Sequence, residues 1–224
     1  MSVSELSSTA QDYLKMIWSA TEWSPTPITV KQLAERMGVR PATVSDGIRR
    51  LADQGMLEHR PYGSIELTTA GRAHAVAMVR RHRLIETFLV ETLGYGWDEV
   101  HDEAEVLEHA VSDTLVDRID ALLGRPVADP HGDPIPTADG HPRRPDAVRL
   151  SEAHAGIPVV VSRISDADPD VLRYLAEKGI RPGTVIELEE HRPYAGDVTV
   201  RLGDEDPIVL GAVASDAVWV SPSR

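Results

Sequence analysis

Cysteine is absent from all 224 residues. That excludes disulfides, thiolate nucleophiles and sulfur-rich zinc sites, and it leaves His nitrogen, Asp and Glu oxygen and the Met thioether as metal donors. Also missing is any apolar run near the ~20 residues needed to cross a bilayer, so the chain is not an integral membrane protein. The first residues, MSVSELSST, have neither a basic start nor an apolar stretch. No secretory signal is therefore expected, and the cytoplasm is the default setting. No internal repeat is evident. Positive charge is in short supply: the formal net charge is -13, which argues superficially against nucleic acid, but its distribution matters more than its sum. Residues 1–75 balance eight Lys or Arg against eight acids, whereas residues 98–120 carry nine acids and one Arg.

The composition, 42% apolar and 26% charged, is that of a soluble globular protein with room for one large domain or two to three small ones. From Ser8 to about Thr21 a helical pattern (Tyr13, Leu14, Ile17, Trp18) runs until Ser-Pro-Thr-Pro at 24–27 stops it. Thr29 reads as the N-cap of VKQLAERMG, and Pro41 suits the first turn of PATVSDGIRRLADQG, closed by Gly55. In that helix Val44, Ile48 and Leu51 share one face, which leaves Ala42, Thr43, Asp46, Arg49 and Arg50 pointing outward. Then MLEHR and SIELT flank the turn PYG as a hairpin. Helix, helix, turn, helix and hairpin spell a winged helix-turn-helix, a DNA-binding unit; the same pattern also serves small modules that contact protein.

Thr69 opens a helix to about Leu93, and a second helix is expected from Trp97 or Asp98 to Leu123. The set Leu107, Val111, Leu115, Ile119 and Leu122 recurs at helical spacing, either as a dimerisation stripe or as internal core. Residues 124–150, rich in proline, read as a linker. Beyond it IPVVVSRI, TVIELEEH, DVTVRL, PIVLGA and AVWVS are short β runs, with one helix at PDVLRYLAEKG, which predicts a small β-barrel. The expected fold is mainly α with a small β part: a winged helix-turn-helix over 1–73, an all-α domain over 74–142 whose linker starts near 124, and a β-barrel over 151–224.

The stretch HDEAEVLEH, residues 101–109, packs two histidines and four acids into nine positions. At roughly 100° per residue, Glu105, Glu108 and His109 fall on the same side of a helix as His101, while Asp102 and Glu103 swing away. Upstream, His82 and Glu86 stand at i, i+4, and an antiparallel helix pair would bring them beside His101. Converging carboxylates repel one another unless a cation joins them. A charge-rich helix also suits a merely solvated face, but two such sets on consecutive helices favour a divalent ion.

HDEAEVLEHAVSD with RRHRLIE before it, PATVSDGIRRLADQGML and PHGDPIP together resemble the diphtheria toxin repressor family of metal-dependent transcriptional regulators, strongly over residues 8–136 and weakly beyond. The resemblance implies a homodimer that binds double-stranded operator DNA, with an SH3-like (FeoA-like) C-terminal domain and no small organic ligand. It implies a primary metal site at Asp12, Glu105, Glu108 and His109. An ancillary site would use His82, Glu86 and His101, with Asp168, or Asp170 behind it, from the C-terminal domain. Where iron-sensing members carry methionine and cysteine, this chain has Asp12 and Glu105. Hard oxygen donors in place of sulfur suit Mn²⁺, with Fe²⁺ or Co²⁺ as substitutes. The chain thus looks like the manganese-sensing branch.

Arg40, Thr43, Ser45, Asp46, Arg49, Arg50, Arg60 and Tyr62 are the candidate DNA contacts, with Arg40, Arg60 and Tyr62 near the backbone. A metal joining Asp12 to Glu108 and His109 would fix the DNA-reading head. If the competent arrangement were about one per cent populated, a roughly 10⁴-fold preference would make it dominant. Two rivals remain at this level: a Mn²⁺-dependent HD-type phosphohydrolase using the His101-Asp102 pair, and a metal-independent winged-helix regulator.

Overall fold

The computed structural model describes residues 6–23, 26–59, 64–141, 146–192 and 194–223. The chain divides into two compact units, one of residues 1–82, 106–118 and 135–143 and the other of residues 83–105, 119–134 and 144–224.

The first unit begins with α1 (Ser8–Glu22), started by the Ser7 hydroxyl accepting the Ala10 N–H. Helix α2 (Val30–Met37) carries a capping box: Thr29 Oγ1 accepts the Gln32 N–H and the Gln32 side chain accepts the Thr29 N–H. Helix α3 (Pro41–Asp53) opens on proline, whose missing N–H is lost at no cost in a first turn. The hairpin β1 (Leu57–His59) and β2 (Ile65–Leu67) is antiparallel. Thr68 then caps α4 (Thr69–Leu93), its hydroxyl accepting the Gly71 N–H. Tyr13, Leu14, Ile17 and Trp18 of α1 join Leu33, Val44, Ile48, Leu51 and Ile65 in one buried core. Burying each such aliphatic side chain is worth about 1.5–3 kcal/mol. Helix α1 lies so close to α3 that a Cβ at Gly47 would stand 2.8 Å from the Tyr13 ring. Only glycine permits that approach.

The single helix expected up to Leu123 is broken. The structure has α5 (Val100–Leu107) and α6 (Asp113–Leu122), separated by a turn. Arg81 from α4 braces the break: its guanidinium donates to the Glu108 carbonyl at 3.0 Å and to the Asp113 carboxylate. Ser112 then restarts the helix by accepting the Leu115 N–H. The anticipated aliphatic stripe is split accordingly, with Ile119 buried and Leu115 and Leu122 exposed.

The second unit holds a six-stranded antiparallel sheet in the order β3-β8-β4-β5-β6-β7. Its strands are β3 (Val148–Arg149), β4 (Pro158–Ile164), β5 (Val185–Arg192), β6 (Asp197–Arg201), β7 (Ile208–Gly211) and β8 (Val218–Pro222). Helices α7 (Pro169–Glu177) and α8 (Ala212–Asp216) accompany it. Val161, Ile164, Leu172, Leu175, Ile186, Leu188, Val198 and Val200 fill its core. No helix is long and apolar enough to cross a membrane among the described residues.

The stretch read as a linker is not loose. Asp129 Oδ1 accepts the N–H groups of His131 and Asp133, each at 2.9 Å, closing a tight turn in which His131, Asp133 and Ile135 are buried. His131 O accepts the Ile164 N–H at 2.8 Å, which ties the turn to β4. Gly132 has φ +87 and a Cβ there would meet Ser162 O at 2.2 Å, so the contact requires glycine.

Candidate metal centre

In the first unit, Asp12 on α1 and Glu108 and His109 in the turn after α5 offer donor atoms that lie within 4.8 Å of one another. His109 Nε2 stands 2.9 Å from Asp12 Oδ1 and 3.7 Å from Glu108 Oε1. The other ring nitrogen is held by a residue the sequence did not single out: His109 Nδ1 lies 2.8 Å from Gln11 Oε1, and Gln11 Nε2 donates in turn to Leu6 O at 3.0 Å. With its amide fixed in this way, Gln11 offers its oxygen to Nδ1, which orients the ring so that Nε2 is the nitrogen directed at Asp12 and Glu108. That is the outer hydrogen bond a metal-binding histidine needs. The helix break contributes as well, because it turns Glu108 and His109 out of the α5 spiral and toward α1.

Glu108 is fully buried. Its Oε2 lies 2.6 Å from His82 Nδ1 and its Oε1 accepts from Lys15 Nζ at 2.5 Å. Burial pushes the carboxyl pKa up, yet the hydrogen bond and charge of His82 and the Lys15 ammonium outweigh it, and the net shift is downward. Glu108 is therefore an anion. His82, grouped by the family resemblance with Glu86 and His101, thus also places its Nδ1 against Glu108. Glu105, the fourth expected donor, lies in the second unit and approaches His101 Nε2 at 3.6 Å.

In the second unit Glu86, His101 and Asp166 form another group with donors within 4.8 Å of one another. His101 Nδ1 lies 3.1 Å from Asp166 Oδ2 and 3.3 Å from Glu86 Oε1. Burial disfavours the imidazolium, but hydrogen bonds to Asp166 and Glu86 and their charges prevail, and the His101 pKa is pushed up to about 11. The expected donor Asp168 is elsewhere: it is the N-cap of α7, accepting the N–H groups of Asp170 and Val171. Asp170 pairs with Arg173. Asp166, two residues earlier, takes the place assigned to Asp168.

A third group in the same unit, Glu86, Asp129 and His131, is wholly buried. His131 Nε2 sits 2.6 Å from Trp97 O, which fixes its proton there and leaves Nδ1, without a hydrogen-bond partner among the described residues, 3.9 Å from Glu86 Oε2. Burial, reinforced by Asp133 and Glu86, raises the Asp129 carboxyl pKa well above its ordinary range, although Arg83 opposes the shift. Sequence reasoning passed over Asp129 and His131 because they fall in the proline-rich stretch. The PHGDPIP motif was the available signal.

The donor set of all three groups, imidazole nitrogen and carboxylate oxygen without sulfur, fits a divalent ion. Asp102, by contrast, is exposed and belongs to none of them among the described residues.

On α3 and its N-cap, residues 40, 43, 45, 46, 49 and 50 are exposed as expected. Asp46 pairs with Arg49 at 3.3 Å, and Ser45 Oγ donates back to Pro41 O at 3.0 Å. Arg60 and Tyr62 lie outside the described residues.

Comparison with known proteins fits this layout. Residues 5–65 match the iron dependent repressor N-terminal DNA binding domain, residues 68–137 the iron dependent repressor metal binding and dimerisation domain, and residues 148–222 the FeoA domain. The iron-dependent repressor IdeR of Mycobacterium tuberculosis (strain H37Rv) is 34% identical over 230 residues, which cover 97% of this chain and 99% of that protein. The chain belongs to the iron-dependent repressor family. Among solved structures, a manganese-dependent transcriptional repressor in complex with manganese is 53% identical, with TM-score 0.92 over 96% of this chain and 100% of the other. A second manganese-dependent transcriptional repressor is 47% identical, with TM-score 0.76 over 95% and 99%. The family's DNA-binding, metal-binding and FeoA parts follow one another here in order, and Asp12, Glu108 and His109 come from the first two.

Proposed function

We propose that this chain is a Mn²⁺-responsive transcriptional repressor that binds operator DNA as a cytoplasmic homodimer and governs metal homeostasis. The observation that carries the reading is the convergence of Asp12 with Glu108 and His109, whose Nε2 is aimed by Gln11. Glu105, three residues before Glu108, is the fourth proposed donor; Glu86, His101 and Asp166 are proposed to hold an ancillary ion. Mn²⁺ is favoured over iron because Asp12 and Glu105 supply oxygen where soft sulfur would suit Fe²⁺ better, with Fe²⁺ and Co²⁺ able to substitute. The proposed division is a DNA-binding domain over 1–73, a helical domain over 74–142 and an SH3-like domain over 151–224.

When bound, the ion supplies a cross-link between carboxylate and imidazole donors. What the chain does with that link follows from α1. Tyr13, next to Asp12, packs its ring on Gly47 of α3 and donates its hydroxyl to Thr43 O at 3.4 Å. Fixing Asp12 to the 108–109 turn therefore fixes the helix that exposes Thr43, Asp46, Arg49 and Arg50. A phosphohydrolase is disfavoured because Asp102 is exposed and joins none of the donor groups among the described residues.

The test is a DNA-binding titration of one operator fragment with Mn²⁺, Fe²⁺, Zn²⁺ and chelator. Mn²⁺ should activate binding, chelator should abolish it, and Asp12→Ala should not respond. Full Mn²⁺-activated binding by Asp12→Ala would refute the reading.

A further inference from the structure

The two oxygens of Glu108 face different cations. His82 Nδ1 lies by Oε2 and Lys15 Nζ by Oε1. Lys15 stands on α1 almost one turn after Asp12, so both project toward the same turn. It is 8% exposed, an unusual position for a lysine unless an anion holds it there. The oxygen it contacts is also the one 3.7 Å from His109 Nε2, which in turn lies 2.9 Å from Asp12 Oδ1. The ammonium thus occupies the oxygen that would close the donor triangle.

We propose that Lys15 sets the metal threshold of this centre: its ammonium is an internal cation that competes with the divalent ion for Glu108 Oε1. The inference rests on Asp12, Glu108 and His109 being the metal donors. An ion needs its oxygen donors at about 2.1 Å, and an ammonium 2.5 Å from the same oxygen would then stand close to a doubly charged cation. Either Lys15 leaves Glu108 and gives up a charge-assisted hydrogen bond, or it stays and repels the ion. Both outcomes weaken binding relative to the bare donor set. The consequence is physiological: a centre rich in carboxylates would fill at low concentrations of any divalent ion, and a built-in competitor moves its response to higher ones.

Three substitutions separate charge from shape. Lys15→Met keeps the length of the stem and removes the ammonium; Lys15→Gln also removes the charge but can still donate to Glu108; Lys15→Arg keeps the charge. Mn²⁺ affinity of the full chain is read directly by counting free Mn²⁺ from its paramagnetic resonance signal. Lys15→Met and Lys15→Gln should bind Mn²⁺ about tenfold more tightly or better, and Lys15→Arg should stay within about threefold of the wild type. A gain of affinity is not what damaged packing produces. Thermal melts add a second readout: in chelator Lys15→Met should melt below the wild type, and saturation with Mn²⁺ should raise its melting temperature by more. Unchanged or weaker affinity in both uncharged variants overturns the proposal, as does a Lys15→Arg variant that tightens equally. A wild type that binds no Mn²⁺ overturns this proposal and the proposed function together. Wild-type binding abolished by Asp12→Ala but indifferent to Lys15 leaves the function standing and removes only Lys15's role.

Discussion

Replacing Glu108 by Gln tests the electrostatics of the centre without any assumption about which ion fills it. The amide keeps the shape of the side chain but strips the negative charge from between Lys15 and His82, both of which are almost completely buried. Deleting one member of a buried ion pair costs about 3–5 kcal/mol, because the surviving charge is left uncompensated. Lys15 has a long stem and 10% side-chain exposure, so its ammonium can partly reach water. The low end, about 3 kcal/mol, is therefore expected. For a chain of this length each kcal/mol moves the melting temperature by about 2–4 °C, so Glu108→Gln should melt roughly 6–12 °C lower at pH 7 in chelator, by calorimetry. The pH dependence gives the sign an independent check. The folded-state pKa of Glu108 lies below its ordinary value of 4.5, so its contribution is fully present above that value and is lost as pH falls through the folded one. The gap between wild type and variant should accordingly narrow on acidification below pH 4.5. A variant within about 2 °C of the wild type at pH 7, or a gap that widens in acid, would refute the assignment of Glu108 as a buried anion.

Gln11→Leu, close in size and buried, should leave the fold in place but release His109 Nδ1, weakening Mn²⁺ binding by about 10–100-fold; resonance counting of free Mn²⁺ checks this, and unchanged affinity would remove Gln11 as the orienting group. At Glu86, His101 and Asp166, the His101 pKa near 11 makes the residue an imidazolium at pH 7.5. Binding an ion through Nδ1 must then release close to one proton, and affinity should rise about tenfold per pH unit below that pKa. Calorimetric titration with Mn²⁺ in buffers of different ionisation enthalpy reads the proton directly, and apparent enthalpies that do not vary between buffers would contradict it.

How far the sequence carries the fold depends on whether local or distant groups decide each element. Thr29, Pro41 and Thr69 mark helix starts by chemistry that acts within one turn, and α2, α3 and α4 begin where those residues predict. The helix break after Leu107 was hidden because the apolar period runs on through Val111 and Leu115, while the residue that braces it, Arg81, is 27 residues from Glu108. Ser112-Asp113 was the local hint of a new start. Asp168 could have been set aside from sequence alone: an aspartate directly before Pro169 is a helix N-cap, and its carboxylate is spent on Asp170 and Val171. The shared face of Glu105, Glu108 and His109 followed from helical geometry, whereas the participation of Asp12 came only from family resemblance, since no spacing rule links residues about a hundred positions apart. Asp129 and His131 were missed because proline and glycine suggest a loose linker; the turn closed by the Asp129 carboxylate reverses that reading.

A chain with net charge -13 buries several carboxylates, and three of them face cations inside the fold. Glu108 meets Lys15 and His82; Asp133 meets Arg163 Nε at 2.8 Å and Arg83 Nη2 at 3.5 Å; Glu86 meets His101. These pairings mean that carboxylate repulsion alone does not demand a metal, contrary to the simplest reading of the acidic stretch. Metal dependence is better understood as a contest between internal cations and a divalent ion for the same oxygens. In the first unit that contest is local to one face of α1, where Asp12 and Lys15 flank Tyr13. Exchanging the Lys15–Glu108 bond for an ion shared with Asp12 shifts the load by less than one helical turn, and Tyr13 passes the shift to α3 through Gly47 and Thr43. The Tyr13 ring fills the space that a Cβ on residue 47 would need, 2.8 Å from its position. Tyr13 is thus the contact through which α1 would act on the DNA-reading helix, and a side chain larger than glycine at position 47 should disturb the response to metal even though it touches no donor.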